Sequence, residues 1–143
     1  MLKNIDPLLN ADLLHVLAAM GHGDDLALVD RNFPALANAR RLIRLDGADI
    51  ITAGRAILSV YPLDSFVDHP VMRMQMVGKP DEVPPVQQDF QKIVDAAEGR
   101  HWPMGSIERF AFYEAARQAF AVVATGESRP YGCFLLKKGV IFD

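Results

Sequence analysis

The stretch from Asn10 to Asp30, NADLLHVLAAMGHGDDLALVD, decides the fold. Asn10 can cap a helix that runs to about Met20, with Leu13, Leu14, Leu17 and Met20 on one face and Gly21 as the stop signal. Leu26–Val29 follows as a short, unbroken apolar run, the pattern of a strand covered on both faces. Asp30-Arg31-Asn32-Phe33-Pro34 then breaks the run as a loop. A helix leading into a doubly covered strand calls for helices on both sides of a sheet.

The same alternation continues outward. Leu42–Leu45 reads as a second strand closed by Asp46-Gly47, and Asp49 can cap a helix through about Val60 that Pro62 ends. Val71–Val77 alternates, with Met72, Met74 and Met76 opposed to Arg73 and Gln75, which predicts a half-buried strand. Pro84 and Pro85 open a helix striped by Val86, Phe90, Ile93, Val94 and Ala97, and Ser106 is expected to cap another from Ile107 to about Gln118. Phe120–Thr125 and Phe134–Leu136 read as the last strands, with a turn starting at Gly126-Glu127. Their connection is too short for a crossover helix, so they are expected to pair antiparallel and make the sheet mixed. The expectation is one domain over residues 1–143, a layered α/β/α sandwich with a mixed sheet. No repeat or low-complexity segment divides the chain.

Half of the residues are hydrophobic and the net charge is −3. The apolar run Phe120–Ala124 is far shorter than the roughly 20 residues of a spanning helix, and the N-terminus lacks a signal-peptide pattern. The single cysteine, Cys133, cannot form an internal disulfide. The densest basic cluster, Arg40, Arg41 and Arg44, has no interleaved aromatics of a nucleic-acid platform. A cytoplasmic protein without nucleic-acid or membrane partners is expected.

Several catalytic signatures are absent: no G-x-S-x-G elbow, no P-loop, no G-x-G-x-x-G, no H-E-x-x-H, and no metal-ligand spacing. The remaining candidates are polar residues at the ends of apolar elements. His22, in Gly21-His22-Gly23-Asp24, is flanked by glycines that leave its imidazole approachable, and such a ring can exchange protons near neutral pH. It reads equally well as a polar loop residue. Asp30 follows a buried strand, where α/β sheets place ligand groups, and it also suits an Asx-turn before Pro34. Arg109 stands near the start of an aromatic-rich helix and could donate several hydrogen bonds to a ligand, or form an i,i+4 pair. Tyr131-Gly132-Cys133 offers a hydroxyl and a close backbone approach, or merely the shoulder of a hairpin.

Taken together, Met20-Gly21-His22-Gly23-Asp24, Asp30 with Asn32-Phe33-Pro34-Ala35, Arg109-Phe110-Ala111-Phe112-Tyr113-Glu114, Thr125-Gly126-Glu127, and Tyr131-Gly132 with Leu136-Lys137-Lys138-Gly139-Val140 occur in order. From Leu2 to Val140 this chain resembles the L-fucose mutarotase and D-ribose pyranase family, with Arg109, Phe-Ala-Phe-Tyr-Glu and Lys-Lys-Gly-Val resembling the fucose branch. The resemblance implies an enzyme without cofactor or metal that interconverts the α and β anomers of a free monosaccharide. By that resemblance His22 is the proton donor, Asp30, Arg109, Tyr131, Gly132 and Cys133 bind sugar, and the protein assembles into ring-like homo-oligomers, decameric in the family. Two departures stand out. Cys133 replaces the family's usual asparagine, and Ala35–Arg41 does not follow the fucose branch.

His22 precedes the first strand and Asp30 ends it, so roughly 25 Å separates them if the segment is extended. One sugar-sized pocket within one subunit cannot hold both. The expectation is therefore a pocket in which His22 of one chain meets Asp30 of its neighbour. A non-catalytic sugar sensor or carrier accessory, favoured by Cys133, is the alternative, and a purely structural protein the third reading.

Overall fold

The computed structural model describes all 143 residues. The elements are α1 (Ala11–Ala19), β1 (Asp25–Val29), β2 (Leu42–Leu45), α2 (Ile50–Leu58), β3 (Val71–Met74), α3 (Pro85–Glu98), β4 (Gly105–Ile107), α4 (Arg109–Gln118), β5 (Ala121–Thr125) and β6 (Phe134–Lys137). One six-stranded sheet runs in the order β2-β5-β1-β6-β3-β4. β5 is parallel to β1 and β2, and β3 is parallel to β4. β6 runs antiparallel to both of its neighbours, β1 and β3. Five strands thus point one way and β6 alone points back.

The period-2 alternation of a strand sorts the central residues into two cores. Leu26 and Leu28 of β1, Ala121 and Val123 of β5, and Phe134 and Leu136 of β6 face the larger core, under α1, α2 and α3. Ala27, Val29, Val122, Ala124 and Leu135 face the smaller one, under α4 and the Phe33–Ala35 loop. The sandwich has three layers and a mixed sheet, as the sequence implies. Gly54 lets α2 approach α3, since a Cβ there would fall 2.6 Å from the Phe90 ring. That ring stacks on Phe134 at 3.8 Å between centroids.

Four local expectations change. β5 and β6 do not pair with each other; β1 lies between them, hydrogen-bonded parallel to β5 along one edge and antiparallel to β6 along the other, a central position that sets each of its apolar faces in one of the two cores. Ser106 lies in β4, and the cap of α4 is Glu108, whose carboxylate accepts the amides of Phe110 and Ala111. β3 ends at Met74, and its Arg73 face is covered: that side chain is only 8% exposed and donates to the carbonyl of Pro80 and to Gln87 on α3. α1 is capped by Asn10 as expected, yet Gly21 does not take up the left-handed conformation that ends many helices. Instead the Lys138 ammonium donates to the carbonyls of Leu17 (2.7 Å) and Met20 (2.6 Å), a cation at the negative end of the helix. The left-handed glycine is Gly23, at φ 86°.

Candidate active site

Strand direction decides which residues meet. The C-terminal ends of β1, β3 and β4 share one edge of the sheet with the start of β6. That edge gathers Asp30, Met74, Arg109, Tyr131 and Cys133, with Asn32, Phe33, Tyr113 and Pro130, around a cleft of about 210 Å³. This is where open α/β sheets carry ligands.

Asp30 is 4% exposed, and its carboxylate is heavily engaged. One oxygen accepts the amides of Asn32 (3.0 Å) and Phe33 (3.1 Å), an Asx-turn. The other accepts the Gly132 amide (3.1 Å) and the Cys133 thiol (3.5 Å). The Asx-turn is thus present, and the same residue lines the cleft. Burial pushes the Asp30 carboxyl above its ordinary range, against the four donors that pull it down. Burial, then the neighbouring Asp30 charge, pushes the Cys133 thiol well up, which disfavours its nucleophilic form.

Arg109, on the first turn of α4, reaches outward. Its Nε donates to the Tyr113 hydroxyl at 3.2 Å, so its i,i+4 partner is a phenol and not a carboxylate, and its guanidinium carbon lies 5.4 Å from the rings of both Phe110 and Tyr113. Tyr131 sits at φ 64°, a conformation a non-glycine residue seldom adopts outside constrained sites. Its carbonyl accepts the buried Gln87 amide and its hydroxyl accepts the Val77 amide, which together hold the turn over the cleft.

His22 belongs to the other edge. It precedes β1, beside the end of β6 and the loop entering β3, and lines a larger cleft of about 540 Å³ with Leu17, Val60, Pro62, Lys138 and Ile141. Its side chain is 46% exposed, so the imidazole is approachable. Nε2 lies 3.0 Å from Oδ1 of Asp64, and the ring tilts against Phe66 at 5.1 Å between centroids. Gly23 is needed here for its positive φ, whereas a Cβ on Gly21 would make only ordinary contact, 3.7 Å from Asp24. Sequence reading missed Asp64. It lies 42 residues away in a loop with no periodicity, and the only signal was a lone carboxylate in Pro62-Leu63-Asp64-Ser65-Phe66.

The Thr125-Gly126-Glu127 motif holds the frame of the first cleft. A Cβ on Gly126 would overlap the Asp46 carbonyl oxygen, and the Thr125 hydroxyl donates to the Val29 carbonyl at 2.9 Å. Buried Glu127 accepts the Ile50 amide at the start of α2 and pairs with Arg129 at 3.0 Å. No three His, Cys, Asp or Glu side chains stand close enough to hold a metal ion, and no helix is long and apolar enough to cross a membrane.

Residues 3–141 match the profile of the RbsD / FucU transport protein family. The L-fucose mutarotase of Histophilus somni (strain 2336) is 41% identical over 98% of this chain and 97% of its own length. The fucose mutarotase of Bos taurus is 44% identical over 98% of this chain and 94% of its own. Among solved structures, the fucose mutarotase of Streptococcus pneumoniae in complex with L-fucose superposes with a TM-score of 0.91 at 37% identity, covering 99% of this chain and all of that one. The Bacillus subtilis RbsD complexed with D-ribose, at 21% identity and a TM-score of 0.73 over 99% of this chain and all of its own, shares the fold.

Proposed function

This chain belongs to the RbsD / FucU transport protein family, and from that premise we propose that it is a mutarotase for a free monosaccharide of the L-fucose kind. The observation that carries the proposal is the His22 imidazole: half exposed, lining a cleft, and bound to the protein through one ring nitrogen only. Relatives 41–44% identical along nearly the whole chain are named for fucose mutarotation.

The reaction suits such a group. A proton is delivered to the ring oxygen as the bond from the anomeric carbon breaks, and the anomeric hydroxyl loses its proton as the carbonyl forms. The carbonyl turns, and closure reverses both transfers. His22 carries the proton, which is typically worth about 10²–10⁴-fold. Arg109 and Tyr131 offer polar groups to sugar hydroxyls, and the Gly132-Cys133 backbone, held by Asp30, fixes the wall of the cleft.

We further propose that the working site lies between two copies of the chain. His22 and the Asp30 cleft open at opposite edges of one sheet, which favours contributions from different subunits. The cleft, at about 210 Å³, also falls short of the roughly 300–1,000 Å³ of ordinary ligand pockets, as expected of a half-site. A ring-like homo-oligomer, a decamer in the cytoplasm, is the assembly this reading takes.

Saturation-transfer NMR on L-fucose, D-ribose and related sugars tests the activity. Enhanced anomer exchange that is lost in His22→Ala is expected, and parental exchange in that variant overturns the assignment. The second reading, a sugar binder without catalysis, is favoured by the buried Cys133 thiol that stands where an amide could have faced the sugar. Binding without any enhanced exchange selects it.

A further inference from the structure

We infer that Asp64 is a positioning residue that fixes His22 in the tautomer with hydrogen on Nε2, leaving Nδ1 as the atom that exchanges the proton with substrate. The inference rests on the mutarotase reading and adds to it the atom that acts and the residue that selects it.

An ionised carboxylate can only accept, so the 3.0 Å contact between Asp64 Oδ1 and His22 Nε2 places a hydrogen on Nε2. Nδ1 has no partner within the chain, and the ring is half exposed on a cleft. The neutral ring therefore presents a lone pair at Nδ1, and the protonated ring presents an N–H there. The orienting carboxylate sits behind the ring, as in other sites where a buried acid holds an imidazole from its far nitrogen.

Asp64 is built to stay in place and to stay charged. Its side chain is 4% exposed, and the oxygen that meets His22 also accepts the Phe66 amide at 3.0 Å. Burial pushes the carboxyl up, yet the Phe66 amide, the His22 contact and charge, and the nearby Lys137 outweigh it and hold it below its ordinary range. The loop is tied to the end of β6: the Asp64 amide donates to the Lys137 carbonyl (3.0 Å), and the Gly139 amide donates to the Pro62 carbonyl (2.8 Å). Gly139 packs against the backbone of Leu63 and Asp64 with no room for a Cβ. The turn carrying His22 hangs from the same strand end, through Gly23 to Lys138 (2.8 Å) and Lys138 to Asp24 (2.9 Å). One short segment thus sets both members of the pair. Phe66, two residues further along the loop, sets its ring against the imidazole at 5.1 Å between centroids.

Two of the three other histidines provide an internal contrast. His69 and His101 make their contacts through Nδ1, to the Pro103 carbonyl and to Asp95. The ¹⁵N shifts of the imidazoles, read near pH 9 where ordinary imidazoles of pKa about 6.5 are neutral, should show hydrogen on Nε2 for His22 and on Nδ1 for His69.

The test adds two variants. Asp64→Ala should give a mixed His22 tautomer and lower kcat for anomer exchange by at least roughly tenfold, with KM within about twofold of the parent. Asp64→Asn should keep the Nε2 hydrogen, because the Phe66 amide demands an oxygen at that position and the same oxygen faces His22. It should therefore recover part of the kcat lost in Asp64→Ala, and being isosteric it serves if the alanine variant does not fold. Hydrogen on Nδ1 of His22 in the parent, or a kcat in Asp64→Ala equal to the parent's, overturns the inference. A parent protein that does not enhance anomer exchange at all would instead overturn the mutarotase reading itself, while leaving the tautomer readable.

Discussion

If His22 and the Asp30 cleft act together only across a subunit boundary, two crippled chains should rescue each other. The suitable pair is His22→Ala and Arg109→Ala, because both side chains are well exposed and neither holds the frame. Asp30 would be a poor choice, since its carboxylate binds four protein donors. His22→Ala alone should retain about 1% of parental exchange or less. Arg109→Ala, which strips the cleft of its guanidinium, should retain roughly one-tenth. When equal amounts are unfolded together and refolded, each shared site draws its imidazole from one copy and its cleft from another. By chance about one-quarter of the sites then carry both parental halves, whatever the symmetry of the assembly. The mixture should show about one-quarter of parental exchange, against roughly one-twentieth for the mean of the two variants refolded apart. Saturation-transfer NMR on L-fucose reads the difference directly. A mixture no more active than that mean would mean that every site is complete within one chain, and the shared pocket would be wrong.

Three further outcomes follow from the frame of the cleft. Asp30→Asn puts an amide NH₂ against one pair of donors, the Asn32 and Phe33 amides or Gly132 and Cys133, and should cost about 1–3 kcal/mol in denaturant unfolding; unchanged stability would show that the carboxylate does not organise the turn. Gly126→Ala forces a Cβ onto the Asp46 carbonyl, and a loss of at least about 1–3 kcal/mol is expected by thermal melting, where an unchanged melting temperature would contradict the close approach. Burial raises the Glu127 carboxyl, but hydrogen bonds from Arg129 and Ile50 and the Arg129 charge pull it below its ordinary 4.5. Its stabilisation is therefore present above about pH 4.5 and is lost as pH falls through the lowered folded value. Glu127→Gln should be less stable than the parent at pH 7, with the gap narrowing in acid; a gap independent of pH would refute that linkage.

Most of the strands were legible because short apolar runs and capping residues are local signals, whereas β4 and the covered Arg73 face of β3 were not. Leu26–Val29, Leu42–Leu45, and the caps Asn10 and Asp49 fall where the sequence puts them. Pairing was not legible, because it depends on partners far away. The short link from β5 to β6 suggested a hairpin, but β1, nearly a hundred residues earlier, hydrogen-bonds along both edges and lies between them. Ser106 lost the cap of α4 to Glu108 because the preceding residues pair with β3, which moves the helix start two residues on. Among the site residues, Asp30, Arg109 and Tyr131–Cys133 converge through strand direction alone. Asp64 carries no local pattern, and only the tying of its loop to the end of β6 brings it to His22.

The strand that runs against the others also fixes how far apart the two clefts stay. Tyr131–Cys133, at the start of β6, walls one cleft; Lys138 and Gly139, at its end, anchor the His22 turn and the Asp64 loop. The five steps from Cys133 to Lys138 span roughly 17 Å of extended chain. β6 is laddered to β1 on one side and to β3 on the other, with Phe134 and Leu136 fully buried. Folding the two ends toward each other would break both ladders, at about 0.5–1.5 kcal/mol for each hydrogen bond, and open the larger core as well. A second copy needs no such distortion. Phe66, Ile141 and Phe142 stand exposed near His22, and Phe110 stands exposed beside Arg109. Full burial of side chains of this size stabilises by about 1.5–3 kcal/mol each. Association between the two edges would therefore cover the apolar surface that each leaves open while bringing an imidazole to the cleft that lacks one.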